Sequence, residues 1–389
     1  MKRVDVTVSK GILEWIMSCI RMEDISPKIA QRLLSWYNGE KIPTFNQIEE
    51  TSRATGIPFG YFFLTAPPQE DLSLLEYRTV DSLELQKPSR NLIDTIHNME
   101  QVQTWVKEEL RSNGGTPLDF VGSLSDTTET DVLVSKIRCL LELSDDWFLL
   151  SKNPEDSFRI IRNKISNTGV IVMMSGIVGN NTHRTLAIDE FRAFAIVDEY
   201  APLVFINSND SINGRLFSLL HEFVHILMGK SSFFNDRYDT HGQVNLTETI
   251  CNAVTAEILV PDAFFVEKWN AEITEGNEDE AVAALAKLFK CGITVIARKA
   301  LKHKYIPKEH YEKIAQLAVQ HYIEARKRAK ENQGGDFYKT AISRIDQRFF
   351  RMLVGSVAEG RTLYSDAFRL TNTNRSTFHQ LREQSGGGF

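Results

Sequence analysis

The most informative segment of this chain is RLFSLLHEFVHILMG, residues 215–229. Apolar residues surround it on nearly every side, which predicts a helix buried in the core and not one lying on the surface. Gly229 marks its C-terminal end. The polar residues just before it offer three candidates for its N-cap: Asn209, Asp210 and Asn213.

The polar residues of this helix have the spacing of a metal site. His221 and His225 lie four residues apart and share one face, so both imidazoles can meet one ion. Glu222 is offset around the helix and can hold a water molecule without binding the metal itself. Histidines that only hydrogen-bond to the backbone of a core helix are the alternative. Burying three such polar groups is costly without a partner, so we favour a Zn²⁺ site with Glu222 as general base.

A catalytic zinc site needs a third protein ligand, and Glu248 is the main candidate. It opens the stretch ETICNAVTAEILVP (residues 248–261), about twenty residues beyond the first helix. Asn252 lies one turn later and can support a ligand histidine from behind. The alternative role for Glu248 is a solvated glutamate in a first helical turn. The loop between the helices supplies two competing ligands, Asp239 and His241, and two candidate oxyanion donors, Tyr238 and His241.

β-Branched and aromatic runs before the helix predict strands at residues 169–174, 191–197 and 203–207. Ala201-Pro202 lies between the last two and indicates a hairpin. The last strand, which directly precedes the helix, is expected to pair with an extended peptide substrate. Helical patterns fill most of the remaining chain, so the predicted class is α+β and mostly helical.

Composition points to a soluble cytoplasmic protein. The net charge of -6 gives no drive of the whole chain toward nucleic acid. The N-terminus lacks the pattern of a signal peptide, and no apolar run suits a membrane span. Four scattered cysteines form no CxxC pair, so we expect buried thiols in a reducing compartment and not a cysteine zinc site.

Residues 215–229 and 248–261 together resemble the ImmA/IrrE family of bacterial zinc metallopeptidases. The resemblance implies that His221, His225 and Glu248 bind the metal and that Glu222 is catalytic. Glu257 and Pro261 match the family's helix end and are expected to be structural. Thr255 stands where that family usually has alanine.

The first 70 residues resemble the helix-turn-helix domains of phage-type repressors, through the segment LLSWYNGEKIPTFNQIEETSRATG (residues 33–56). A scaffold that serves protein contacts is the alternative to DNA binding, because several acidic residues lie nearby. A homodimer would double the small number of DNA phosphate contacts that one module can make. The candidate DNA-binding residues are Lys28, Gln31, Arg32, Ser35 and Lys41.

We therefore predict four regions: a helix-turn-helix-like module at 1–70, a helical linker region at 71–157, a zincin-like metallopeptidase domain at 158–330 and a C-terminal helical region at 336–384. Longer members of the resembled family look like antitoxins or regulators, often paired with a nuclease toxin. The leading hypothesis is a zinc endopeptidase that regulates a partner protein. The alternatives are an antitoxin that neutralises its toxin by binding, and a DNA-binding regulator with little or no proteolysis.

Overall fold

The computed structural model describes residues 5–20, 22, 25–68, 88–125, 127–234, 246–273, 277–331 and 337–384. Helix accounts for 63% of a fold that also has a small sheet, which agrees with the predicted α+β class. The strands are β1 (Ile171–Ser175), β2 (Ile177–Val178), β3 (Asn181–Thr185), β4 (Ala193–Ile196), β5 (Leu203–Asn207) and β6 (Ser232–Phe234). The helices are α1 (Lys10–Cys19), α2 (Pro27–Tyr37), α3 (Phe45–Thr55), α4 (Arg90–Ser112), α5 (Thr130–Leu140), α6 (Pro154–Asn167), α7 (Ile212–Leu227), α8 (Leu246–Leu259), α9 (Asp262–Glu272), α10 (Glu278–Phe289), α11 (Ile293–Lys302), α12 (Lys308–Glu331), α13 (Phe337–Arg344), α14 (Gln347–Ala358), α15 (Tyr364–Leu370) and α16 (Arg375–Gln384).

The chain divides into two compact units, residues 1–102 with 175–190 and residues 103–174 with 191–389. In the first unit, α1, α2, α3 and a short 3₁₀ helix (Phe59–Phe63) surround a small core. Thr44 and Gln47 form a capping box at the start of α3. Gly56 ends α3 at a φ of 73°, a conformation that glycine adopts without strain. These short helices pack around one core that includes Ile12, Leu33 and Ile48.

A hairpin of β2 and β3 also belongs to the first unit and has no counterpart among the predicted strands. Arg184 on β3 pairs with Asp94 at 2.6 Å and with Asn91 at 2.9 Å, both on α4. Asn181 donates to the carbonyl of Arg53 at the end of α3. Polar contacts therefore tie the hairpin to two helices of its own unit.

The second unit holds a sheet with the strand order β1-β5-β4-β6. β4 and β5 are antiparallel, with Ala193 opposite Ile206 and Ile196 opposite Leu203, which confirms the predicted hairpin. β5 lies between β1 and β4. The prediction that this strand pairs with a substrate is wrong, because both of its edges are already hydrogen-bonded to neighbouring strands.

The large core of the second unit combines residues from both sides of the predicted boundary at 157. Trp147, which precedes that boundary, is buried and donates its ring N–H to the carbonyl of Ile258 on α8 at 2.9 Å. The buried face of α5 contributes Leu133 and Ile137 to the same core. Buried residues from both sides of position 157 therefore share one core. Sequence spacing could not reveal that α5 packs on α8.

The C-terminal helices α13 to α16 are joined to this unit through a buried aspartate. Asp346 caps α14 by accepting from the amide of Phe349, and its other oxygen accepts from Ser166 and from the amide of Val172. Within the described ranges no single helix is long and apolar enough to cross a membrane, whereas the bent pair α8–α9 meets that test by length and composition alone.

Candidate metal centre

A polar cap and a close glycine contact fix the start of α7. Ser211 is the N-cap and accepts from the amide of Gly214 at 3.0 Å, so the three predicted caps are wrong. Asp210 instead pairs with Arg192 at 2.8 Å. A β-carbon on Gly214 would lie 2.4 Å from a carboxylate oxygen of Asp210, so a larger residue there would force that side chain to move. The helix therefore begins directly beside the ion pair of Asp210 and Arg192.

The other end of α7 is closed by backbone contacts. Gly229 adopts a φ of 68°, as its predicted role at the helix end requires. The amides of Gly122 and Leu124 donate to the carbonyls of Ile226 and Leu227, each at 3.0 Å. These bonds satisfy carbonyls that a helix end leaves without an intrahelical partner. Both ends of the helix that carries the histidines are thus fixed.

The histidines of α7 meet the predicted third ligand. His221 and His225 are buried, and their Nε2 atoms lie 3.1 Å apart. Glu248 of α8 places one carboxylate oxygen 3.1 Å from the Nε2 of His221 and the other 3.2 Å from that of His225. Ligands at about 2.0–2.1 Å around a tetrahedral zinc ion lie about 3.3 Å apart. The three side chains therefore fit a divalent metal ion by donor type and by spacing.

Burial and proximity shift the pKa values of these groups. Burial lowers the pKa of His221. Burial also acts to lower the pKa of His225, but hydrogen bonds with Cys251 and Glu248 outweigh it and raise that pKa well above its usual value. Burial acts to raise the pKa of Glu248, and the hydrogen bonds with both histidines reverse this and lower it. The carboxylate is therefore ionised at neutral pH, as a metal ligand must be.

Glu222 lies directly beside the ligand pair and has its own hydrogen-bond partner. It is fully buried on α7. Its Oε2 accepts from the hydroxyl of Ser232 at the start of β6. β6 is the outermost strand of the sheet among the described residues and pairs with β4. Ser232 had no signal in the sequence, because its contact with Glu222 depends on where β6 joins the sheet.

Two further residues of α8 face the same group. The Asn252 side chain interacts with His221 and acts to raise its pKa. Cys251 is fully buried, and its thiol belongs to a group with His221 and His225 in which all ligand atoms lie within 4.8 Å of one another. Cys251 was not among the site residues predicted from the sequence. Its spacing of three residues from Glu248 was the available signal.

The remaining candidates from the sequence are three loop residues and five residues of the N-terminal module. Tyr238, Asp239 and His241 lie outside the described residues.

On α2, Lys28 and Arg32 both pair with Glu50, at 3.0 and 2.9 Å. The hydrogen bond from Lys28 and, to a smaller extent, the one from Arg32 lower the pKa of Glu50. Two of the five candidate DNA-binding residues therefore share one carboxylate, which offsets one of their two positive charges.

Of the remaining three, Ser35 donates its hydroxyl to the carbonyl of Gln31 at 2.9 Å. Gln31 and Lys41 are exposed. Lys41 is the one charged residue of these three, and it follows the end of α2 at Tyr37.

Comparison with known families locates the site within a peptidase-like region. Residues 179–301 match the IrrE N-terminal-like domain, a peptidase family. That span contains α7, β6 and α8 with every residue of the site described above. Its likeness indicates a metallopeptidase-like function for about a third of the chain. Residues 345–384 match a domain of unknown function, DUF8813. Neither the curated proteins nor the solved structures gave a match.

Proposed function

We propose that this protein is a zinc-dependent endopeptidase that regulates a partner protein by cleaving it. One observation carries the proposal. Three buried or half-buried donor groups of the correct chemical type meet at 3.1–3.2 Å, and a buried glutamate stands next to them on the same helix. Two helices that only filled the core would not need to bring four ionisable side chains, three from α7 and one from α8, to one point.

His221, His225 and Glu248 would hold the metal, and Asn252 would keep the ring of His221 in place. A divalent metal bound there lowers the pKa of a bound water molecule and polarises a peptide carbonyl. Glu222 would accept the proton of the attacking water at its carboxylate and pass it to the leaving amine. Ser232 holds that carboxylate through one oxygen and so sets its direction.

β6 gives the site a place for an extended peptide. It is the outermost described strand of the sheet, and its first residue contacts Glu222. A peptide added along this edge would make backbone hydrogen bonds beside the general base. The substrate strand is therefore assigned to β6 in place of β5.

The nature of the partner is proposed from the family resemblance. Longer relatives of this type look like antitoxins or regulators, so the substrate is proposed to be a toxin or repressor protein. The N-terminal unit would contact that protein. It carries a cluster of three aromatic rings, Phe45, Phe59 and Phe63, with neighbouring ring centres 4.9 and 5.0 Å apart, and two of them, Phe45 and Phe63, are exposed. Such an apolar surface suits a protein contact better than a phosphate backbone.

Co-expression with the product of the adjacent gene tests the proposal. Wild type and Glu222→Gln are compared for shortening of the partner and for relief of its toxicity. Glu222→Gln retains the metal ligands and the side-chain volume, and therefore removes only the general base. The proposal expects a shortened partner with wild type alone.

The second candidate function is neutralisation of a toxin by binding without cleavage. The phenylalanine cluster favours it, because the cluster offers an apolar surface for a protein contact. Neutralisation by such a contact needs no general base. Equal protection by wild type and Glu222→Gln, with a partner of unchanged length, would establish this candidate and reject proteolysis.

A further inference from the structure

Cys251 lies in the same group of ligand atoms as the two site histidines. The ligand atoms of His221, His225 and Cys251 all lie within 4.8 Å of one another, and all three residues are buried. Cys251 follows Glu248 by three residues on α8, so both side chains lie on one face of that helix. The two helices therefore bring together two imidazoles, one carboxylate and one thiol.

We propose that Cys251 supplies a fourth, thiolate ligand to the metal ion held by His221, His225 and Glu248, and that this closes the site in the resting protein. The inference rests on the proposed function and adds regulation to it. Catalytic zinc sites have three protein ligands and one open position, whereas four protein ligands are typical of closed tetrahedral sites. As the sulfur–metal bond forms, the S–H bond breaks and its proton goes to solvent, so no oxidant is needed.

The thiol of Cys251 lies in buried surroundings that include a second sulfur atom. Its sulfur lies 3.8 Å from the sulfur of Met228, at the end of α7. The thiol is fully buried, which keeps it away from solvent oxidants and other thiols. Thiolates prefer zinc to manganese, whereas two imidazoles and one carboxylate accept both metals. A thiolate ligand would therefore select zinc at this site.

A closed site gives the peptidase a latent form. The sulfur must leave the metal before a water molecule and a peptide carbonyl can occupy that position. Binding of the correct partner along β6 is the event expected to displace it, because β6 and α7 meet at Glu222. Removal of the thiol should then give an enzyme that cleaves unstructured peptides more rapidly than wild type does.

Metal spectroscopy tests the ligand without any knowledge of the substrate. The full-length protein is loaded with Co²⁺ alone, and near-ultraviolet absorption is recorded for the sulfur-to-cobalt charge-transfer band. Wild type should show the band. Cys251→Ala should lose it but still bind cobalt, with at least about 100-fold lower zinc affinity, since losing even an outer-shell partner costs 10–100-fold. Cys291→Ala removes another buried cysteine outside the group and should keep the band.

X-ray absorption of zinc-loaded wild type decides the question even where Cys251→Ala does not fold. One sulfur neighbour at about 2.3 Å, beside nitrogen and oxygen at about 2.0–2.1 Å, would support the thiolate ligand. Bound metal with only nitrogen and oxygen neighbours would overturn it and leave the proposed peptidase site intact. Failure of wild type to bind Zn²⁺ or Co²⁺ would overturn both. A charge-transfer band that persists in Cys251→Ala would also overturn the inference.

Discussion

Lys299 should stabilise the end of the ligand helix α8 far more than its neighbour Lys302 does. Its ammonium lies 2.6 Å from Glu257 and 2.5 Å from Asp262, and its side chain is 5% exposed. Lys302 contacts the same aspartate at 3.3 Å but is 68% exposed. Glu257 and Asp262 flank Pro261, the helix end that the family resemblance marks as structural. The two lysines therefore offer a matched pair of substitutions.

Removing one partner of a buried ion pair costs about 3–5 kcal/mol. Both carboxylates are partly exposed, so water would recover some of this loss, and Lys299→Met should cost about 2–3 kcal/mol of unfolding free energy. Lys302→Met should cost less than about 1 kcal/mol, as exposed pairs do. Urea denaturation at pH 7, with both variants checked for unchanged m-values, measures the difference.

The same network predicts a pH dependence. Burial acts to raise the pKa of Asp262, but the hydrogen bond with Lys299 outweighs it and lowers that pKa to about 2. A lowered carboxyl pKa stabilises the fold above the unfolded value near 3.9, and this contribution is lost as the pH falls from about 4 toward 2. After allowance for exposure it amounts to about 1 kcal/mol. Equal losses for the two lysine variants, or a gap independent of pH below 4, would refute this reasoning.

Three further predictions concern the site and the helix ends. Ser232→Ala should leave the metal content unchanged and lower kcat by about tenfold, because Glu222 loses a hydrogen bond worth about 1.5 kcal/mol. Metal analysis measures the first effect and the rate of peptide cleavage measures the second. Gly56→Ala should destabilise the protein by about 1 kcal/mol more than Gly39→Ala. Both glycines have a φ of 73°, but only Gly56 lies against the side chain of Arg184. Thermal unfolding of the two variants measures the difference. Thr255→Val should stabilise by about 1 kcal/mol in urea denaturation, because the hydroxyl of Thr255 is buried without a hydrogen-bond partner among the described residues.

The ligand helix could be predicted from the sequence because its signals are local. Apolar residues on all sides of α7, the spacing of His221 and His225 and the glycine after them all lie within one short stretch. The N-cap was missed because Ser211 stands among three other residues that cap equally well. Only the backbone conformation there, which sequence does not fix, selects the serine.

Other elements could not be found because their signals are weak or lie far apart in the chain. β6 has only three residues, and its pairing with β4 depends on the whole sheet. The apolar residues of α9, including Phe264, Phe265 and Val266, are adjacent in sequence and give no helical period.

The metal group itself was only partly predictable. Glu248 was chosen by counting the ligands that zinc needs, whereas the position of Cys251 depends on how α8 packs against α7. The same holds for Ser232, which reaches Glu222 only through the sheet. Contacts made by packing two elements leave no periodic trace in either one.

Metal analysis of the purified protein shows directly whether His221, His225 and Glu248 bind a metal ion. Wild type, Glu222→Gln and the double variant His221→Ala, His225→Ala are purified identically, and bound metal is measured per chain. We expect one zinc ion in wild type and in Glu222→Gln, and none in the double variant, which has lost two of three principal ligands. Equal metal in the double variant and wild type would contradict the assignment of this site.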